Sequence, residues 1–197
     1  MMKRAFDFVV SGILLVATSP LLLIAAFAVH RSSPGPIIFR QQRVGQGGRL
    51  FHILKFRTMR PACHGREITV GNDDRITPAG AILRKWKIDE LPQLLNVLRG
   101  EMSLVGPRPE VPSFVAHYPE DIREQILRVR PGITDLASIK YRNENELLAR
   151  QSDPDRYYLD VIVPDKLAMG AAYAARPTLA TDVRIIMATI RSVISDR

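Results

Sequence analysis

The sequence predicts an α/β chain dominated by helix: an N-terminal helix–break–helix segment, then a compact domain with one small β-hairpin and amphipathic helices at an interface. Three observations point there. Residues 5–29 are apolar apart from Asp7 and a few small polar side chains, and Pro20 interrupts them. Two short apolar runs, 36–40 and 50–54, flank a glycine-rich stretch at 44–48. Residues 177–195 repeat apolar side chains at helical spacing.

The first run is about 25 residues, enough to cross a bilayer core. Pro20 removes a backbone donor near its middle and predicts a kink or break there. Lys3 and Arg4 precede the run, and Arg31, Arg40, Arg43 and Arg49 follow it. Cationic flanks stay on the cytoplasmic side, so a straight span would misplace one of them. A segment that enters, bends at Ser19-Pro20 and returns keeps both inside, with the Thr18 and Ser19 hydroxyls serving backbone groups freed at the bend. A plain spanning helix, a cleaved signal peptide and a long buried helix are the alternatives. The expected division is a re-entrant anchor over residues 1–33 and a cytoplasmic domain over 34–197.

The remaining elements follow from local chemistry. Turn-rich Arg31-Ser-Ser-Pro-Gly-Pro36 leaves the anchor, and the two short strands form a hairpin about the 44–48 turn. That turn lacks the lysine and hydroxyl of a P-loop, so its glycines read as turn residues. Lys55 and Arg57 share one face of the strand that follows. Residues 61–72 read as a surface loop. Helices are expected at 79–87, at 91–98 with Gly100 just past its end, and at 122–129 closed by Arg130-Pro-Gly132. In the last helix, Leu179, Val183, Ile186, Ile190 and Ile194 form one stripe. It reads as a core-facing stripe or, alternatively, as a face lying in a membrane interface. Asn143-Glu-Asn-Glu146 reads as a solvated loop, although its acids could meet sugar hydroxyls.

Composition limits the function. Of the 197 residues 46% are hydrophobic, which excludes a disordered chain, and the net charge of +8 favours an acidic partner. Nucleic acid is not expected, because no reading module and few stacking aromatics are present. The single cysteine, Cys63, excludes an internal disulfide framework. Cys63-His64 and the scattered His30, His52 and His117 lack metal-site spacing.

Chemistry concentrates at Asp89-Glu90. An acid at a helix start commonly caps the backbone or complements the dipole. Here Arg84, Lys85, Lys87, Arg99 and Arg108 lie nearby, more charge than a cap needs. That field should hold both acids ionised and bind a phosphate substrate. Adjacent carboxylates can divide two tasks, one attacking phosphorus and the other handling a divalent cation or protons. Pro107 and Pro109 restrict the backbone around Arg108 and aim a guanidinium at phosphate oxygens.

Several segments, taken in order, resemble the bacterial sugar transferase family, the small monotopic phosphoglycosyl transferases. They are Thr18-Ser-Pro20, Arg43-Val-Gly45, Lys55-Phe-Arg-Thr-Met59, Asp89-Glu-Leu-Pro-Gln93, Asn96-Val-Leu-Arg-Gly100, Met102-Ser-Leu-Val-Gly-Pro-Arg-Pro109 and Arg130-Pro-Gly-Ile-Thr134. The resemblance implies a monotopic enzyme on the cytoplasmic face of the bacterial inner membrane, its anchor broken at Ser19-Pro20. It implies Mg²⁺-dependent transfer of a sugar 1-phosphate from a UDP-sugar to undecaprenyl phosphate, releasing UMP and initiating glycoconjugate assembly. Asp89 would be the nucleophile and Glu90 its partner, the two also holding Mg²⁺. Lys55, Arg57, Arg84, Arg108, Pro109, Arg130 and Arg142 would bind substrate. Membrane lipid is an expected partner, and the resemblance allows a homodimer. A non-catalytic membrane-attached scaffold of the same fold is the alternative. Beyond Thr134 the chain departs from the family pattern, with Asp135 for the usual glycine, Ser138 for the usual glutamine and Tyr141 before Arg142. Sugar identity is therefore not carried over.

Overall fold

The computed structural model describes residues 2–60 and 73–195; the loop expected at 61–72, with its Cys63-His64 pair, lies outside the described residues. The fold is helix-dominated α/β with one strand hairpin and one two-stranded parallel pair.

Helices α1 (Met2–Ala17) and α2 (Ser19–Ser32) meet at a bend of 63°. Pro20 cannot donate to the Val16 carbonyl one turn earlier, and the Ser19 hydroxyl donates to it instead at 2.8 Å. The Thr18 hydroxyl donates to the Leu14 carbonyl at 2.7 Å. The bend thus satisfies its own backbone, as the two hydroxyls at the break had suggested. Among the described residues no single helix is long and apolar enough to cross a membrane, while this bent pair passes that test together.

Both helices pack one face on the domain, Phe6, Val10 and Leu15 from α1 and Leu22 and Ala26 from α2 among them. Asp7 and Ser11 are the buried residues of α1, and Asp7 accepts bonds from the Ser103 hydroxyl (2.8 Å) and the Leu104 N–H (3.3 Å). Ala25 and Val29 of α2 pack on Phe56 and Leu83. Phe8, Val9, Ile13, Val16, Leu23 and Phe27 stay exposed.

Strands β1 (Ile38–Val44) and β2 (Leu50–Phe56) pair antiparallel, with Ile38 opposite Phe56 and Val44 opposite Leu50. The hairpin lies where the sequence placed it, with longer strands. Gly47 and Gly48 take φ of 65° and 76° in its turn, which explains why glycine stands there. Helix α3 (Pro78–Lys85) is capped by Thr77, whose hydroxyl accepts from the Gly80 N–H at 3.0 Å. Helix α4 (Gln93–Arg99) ends at Gly100 in the left-handed region. Arg4 donates to the Val97 and Leu98 carbonyls there, at 2.5 and 2.9 Å, a cation serving a helix C-terminus.

Strand β3 (Ser103–Val105) pairs in parallel with β4 (Gly132–Thr134), with short helices α5 (Pro112–Val115) and α6 (Glu120–Leu127) between them. This pair was not foreseen. Each strand has three residues, too short for alternation to register. The chains touch at two glycines: a Cβ on Gly132 would lie 2.1 Å from the Gly106 nitrogen, and one on Gly106 would lie 2.3 Å from the Arg130 carbonyl.

Helices α7 (Leu136–Lys140), α8 (Glu144–Ala149), α9 (Pro154–Tyr157) and α10 (Val163–Ala175) follow, with a widened π-helical turn over Tyr158–Ile162 joining the last two. Residues 144–146, read as loop, open α8. The final helix, α11 (Leu179–Ser195), corrects the core-facing reading of its stripe. Val183, Ile190 and Ile194 are exposed, while Asp182 and Ile185 are buried. The cause is a polar anchor: Asp182 accepts from Lys3 (2.5 Å) and from the Tyr173 hydroxyl (2.6 Å). Those bonds set the helix rotation and leave much of the apolar stripe outside. The core runs through Leu94, Leu104, Val105, Tyr173 and Ile185, with Phe51, Ile53, Val97 and Met102 beside it.

Gly132→Ala should lower unfolding free energy by roughly 3–5 kcal/mol, the range for forced overlap in a packed site. Gly12→Ala, where nothing lies within 4 Å of the added carbon, should change it by less than about 1 kcal/mol in the same denaturation experiment.

Candidate active site

The acid pair sits in a tight 3₁₀ turn, Ile88–Glu90, between α3 and α4. Lys87 enters it with φ of 56°, a left-handed conformation uncommon for a side-chain-bearing residue. Neither acid caps α4, whose N-terminal position is Pro92 with no side-chain bond. The capping explanation therefore does not describe them. Both acids are buried, with relative exposures of 7% for Asp89 and 8% for Glu90.

Glu90 is the hub. Its Oε1 accepts from Lys55 Nζ at 2.9 Å and from Arg108 Nη2 at 2.7 Å. Burial works against its charge, but Arg108, Lys55 and Lys87 outweigh that penalty and hold it well below the usual carboxylate range. Glu90 in return raises Arg108, while burial lowers Lys55 against the pull of Glu90. Asp89 behaves differently. Burial first, and then the neighbouring Glu90 charge, push it up to about 6, partly offset by Lys55, Lys87 and Arg84. Both acids are thus ionised at neutral pH, as the surrounding cations suggest, but unequally, because Lys55 and Arg108 are bonded to Glu90. Asp89 Oδ1 is buried with no hydrogen-bond partner among the described residues.

The surrounding elements position this pair. Arg108 follows β3, and its backbone N–H donates to Asp135 Oδ2 at 3.2 Å. The other oxygen of Asp135 caps α7 by accepting from the Ser138 N–H at 2.7 Å. Arg43 on β1 donates to the Pro109 carbonyl (3.0 Å) and to Glu110 (3.1 Å), clamping the same loop. Arg43, Asp135 and Glu110 were not foreseen as site residues. Their sequence signals were the Arg43-Val-Gly45 motif and the departure at Asp135.

A cavity of about 1740 Å³ opens over the acid pair. Lys55, Arg57, Arg84 and Arg108 line it with Asp89 and Glu90, and Arg142 lines it too. Arg57 donates to the Ser33 carbonyl at 2.6 Å, and its Nε and Nη1 are buried without a partner among the described residues. Arg84 donates to the Thr58 hydroxyl at 2.9 Å, and Arg142 to the Ser192 hydroxyl at 3.2 Å. Two other expected binding residues lie outside the lining. The Pro109 carbonyl is spent on Arg43, and Arg130 donates to the Gly100 carbonyl at 2.9 Å. Ser19 and Pro20 stand at the helix bend.

Such a site, a buried carboxylate with an unpartnered oxygen beneath a wall of cations, suits transfer of an anionic phosphorus centre. Comparison with known proteins agrees in kind. The chain is 40% identical to a UDP-glucose:undecaprenyl-phosphate glucose-1-phosphate transferase of Caulobacter vibrioides over 98% of this chain and 70% of that one. It is 38% identical to a UDP-N-acetylgalactosamine-undecaprenyl-phosphate N-acetylgalactosaminephosphotransferase of Aeromonas hydrophila, over 98% of this chain and 44% of that one. It is 36% identical to the exopolysaccharide production protein ExoY of Sinorhizobium fredii, over 99% of this chain and 86% of that one. The bacterial sugar transferase family model matches residues 1–196, so the match takes in the bent helix pair, the acid pair and the divergent C-terminal helices, and the chain belongs to that family.

Proposed function

We propose that this protein transfers a sugar 1-phosphate from a UDP-sugar to undecaprenyl phosphate through a covalent aspartyl-phosphosugar intermediate, releasing UMP. The observation that carries the mechanism is the asymmetry of the acid pair. Glu90 is committed to Lys55 and Arg108, whereas Asp89 keeps a buried oxygen with no hydrogen-bond partner among the described residues. Asp89 is therefore the nucleophile. Its carboxylate oxygen attacks the sugar-bearing phosphorus of the donor, the bond to the UMP oxygen breaks, and UMP leaves with that electron pair. An oxygen of undecaprenyl phosphate then attacks the same phosphorus. The bond to Asp89 breaks, and the carboxylate is restored. Lys55, Arg57, Arg84 and Arg108 line the cavity and neutralise charge on the diphosphate. Glu90 holds Lys55 and Arg108 in place through both exchanges.

The donor set fits Mg²⁺. Among the described residues Asp89 Oδ1 is unpartnered, Glu90 uses only one oxygen on its cations, and no cluster of three or more metal-ligating side chains is present. A cation that takes few carboxylates and completes its shell with phosphate and water suits that set. Bound there, Mg²⁺ would supply further charge neutralisation on the donor diphosphate.

A lipid acceptor requires the site beside a membrane. We assign residues 1–33 to a re-entrant anchor and 34–197 to the catalytic domain on the cytoplasmic face of the bacterial inner membrane. The 63° bend, the exposed apolar faces of α1 and α2, and the outward stripe of α11 support this placement. Initiation of exopolysaccharide or related glycan assembly follows from such a product.

Three measurements check the reading. Purified protein with Mg²⁺, undecaprenyl phosphate and a panel of UDP-sugars should release UMP with at least one donor. Asp89→Asn should reduce that release to background, and near-normal release would sink the mechanism. The same variant should be more stable at neutral pH, by roughly 1–3 kcal/mol. The sign follows from the raised value of Asp89: its contribution to stability is full below about 4 and is lost as pH rises through about 6, so the advantage of the variant should vanish near pH 4. The pH profile of UMP release should bend near 6 and fall about tenfold per unit below it, as the nucleophile protonates. For topology, Met2→Cys and Ser33→Cys in a Cys63→Ser background should label from the same side of sealed vesicles; labelling from opposite sides would establish a spanning segment.

A further inference from the structure

The cavity has two chemically different sides. The cationic side, with Lys55, Arg57, Arg84 and Arg108, serves phosphate. The other is built by α8, α10 and the Tyr158–Ile162 turn, and there Lys166 of α10 pairs with Glu144 Oε2 of α8. Both side chains are about one-fifth exposed, at 20% and 22%. Their position is fixed on several sides. Lys166 Nζ lies 5.7 Å from the Tyr141 ring centroid and 5.1 Å from that of Tyr158. Tyr141 is held in turn by its hydroxyl bond to Asp165 at 2.8 Å, and Leu148 and Ile162, both fully buried, lock α8 to the turn.

A matched carboxylate and ammonium carry no net charge, so this pair is a poor phosphate site. It is a good site for adjacent hydroxyls. One hydroxyl donates to the second Glu144 oxygen, and its neighbour accepts from a remaining Lys166 N–H. We propose that Glu144 and Lys166 form a diol-binding subsite for the donor, resting on the transferase reading above. The donor offers such hydroxyls in two places, the ribose of the nucleotide and the transferred sugar.

The test compares wild type with Glu144→Gln, Lys166→Gln and Lys166→Arg, using UMP release from UDP-glucose and UDP-galactose and product inhibition by UMP and 2′-deoxy-UMP. Losing one hydrogen bond to a charged group should raise KM for the preferred donor about 10- to 100-fold, with kcat changed less than about threefold. Lys166→Arg keeps the charge and should restore most of the affinity. Arg156→Gln, which alters the exposed Arg156–Asp160 pair outside the lining, should leave KM unchanged and controls for loosening of the helices. If the subsite binds ribose, UMP inhibition weakens in parallel and its advantage over 2′-deoxy-UMP disappears. If it binds the transferred sugar, UMP inhibition is unchanged and the ratio of kcat/KM between the epimeric donors collapses. Folded variants that keep KM, inhibition and epimer ratio within about twofold of an active wild type overturn the subsite alone. A wild type that releases UMP from no donor overturns the transferase reading, and the subsite with it.

Discussion

One oxygen of Glu90 organises the site. A carboxylate buried to this degree is costly unless its charge is matched, and Lys55 and Arg108 match it from two other parts of the chain. Strand β2, the 3₁₀ turn and the loop after β3 therefore meet at a single point. The same contact explains its neighbour. With the strongest cations drawn to Glu90, Asp89 keeps its burial penalty and a like charge beside it, and its affinity for a proton rises. Two identical functional groups, adjacent in sequence, acquire opposite characters from one set of bonds.

The rest of the molecule holds that point still. Asp135 ties the Arg108 backbone to the start of α7, and Arg43 ties the following two residues to β1. Deeper in the fold, Lys3, Asp182 and Tyr173 fasten the first and last helices to one another, and both Lys3 and Tyr173 donate to the Val105 carbonyl of β3. The bent N-terminal helix pair is thus part of the framework that carries the site. Its inward face buries Asp7 and Ser11 and packs Phe6, Val10 and Leu15 on the core, while Phe8, Val9, Ile13 and Val16 face outward.

Much of this was legible in the sequence because the deciding signals were local. The Ser19-Pro20 break, the glycine turn at 44–48 and the Gly100 helix end are each written within a few residues. The acid pair and Arg108 stood out by residue type and by the prolines around the arginine. What escaped depended on distant partners. The β3–β4 pairing joins segments of three residues each, and the rotation of α11 is set by a lysine at the other end of the chain. Glu144 read as solvated because its partner, Lys166, follows 22 positions later on a different helix. Arg130, a substrate-binding residue by resemblance, donates its Nε–H to the Gly100 carbonyl, a partner no local pattern announces.

Gly106 and Gly132 face each other where β3 leads into the arginine loop, with backbone atoms too close for a methyl group on either. Neither position can accept a side chain while the other backbone stays where it is, and no compensating change elsewhere relieves a clash between main chains. Drift is closed off on this side of the cavity. The opposite side is helical and carries its chemistry on side-chain tips such as those of Glu144 and Lys166, where exchange costs little backbone rearrangement. Under the transferase function proposed above, new donor preferences would arise on that wall, over a cationic floor that stays in place.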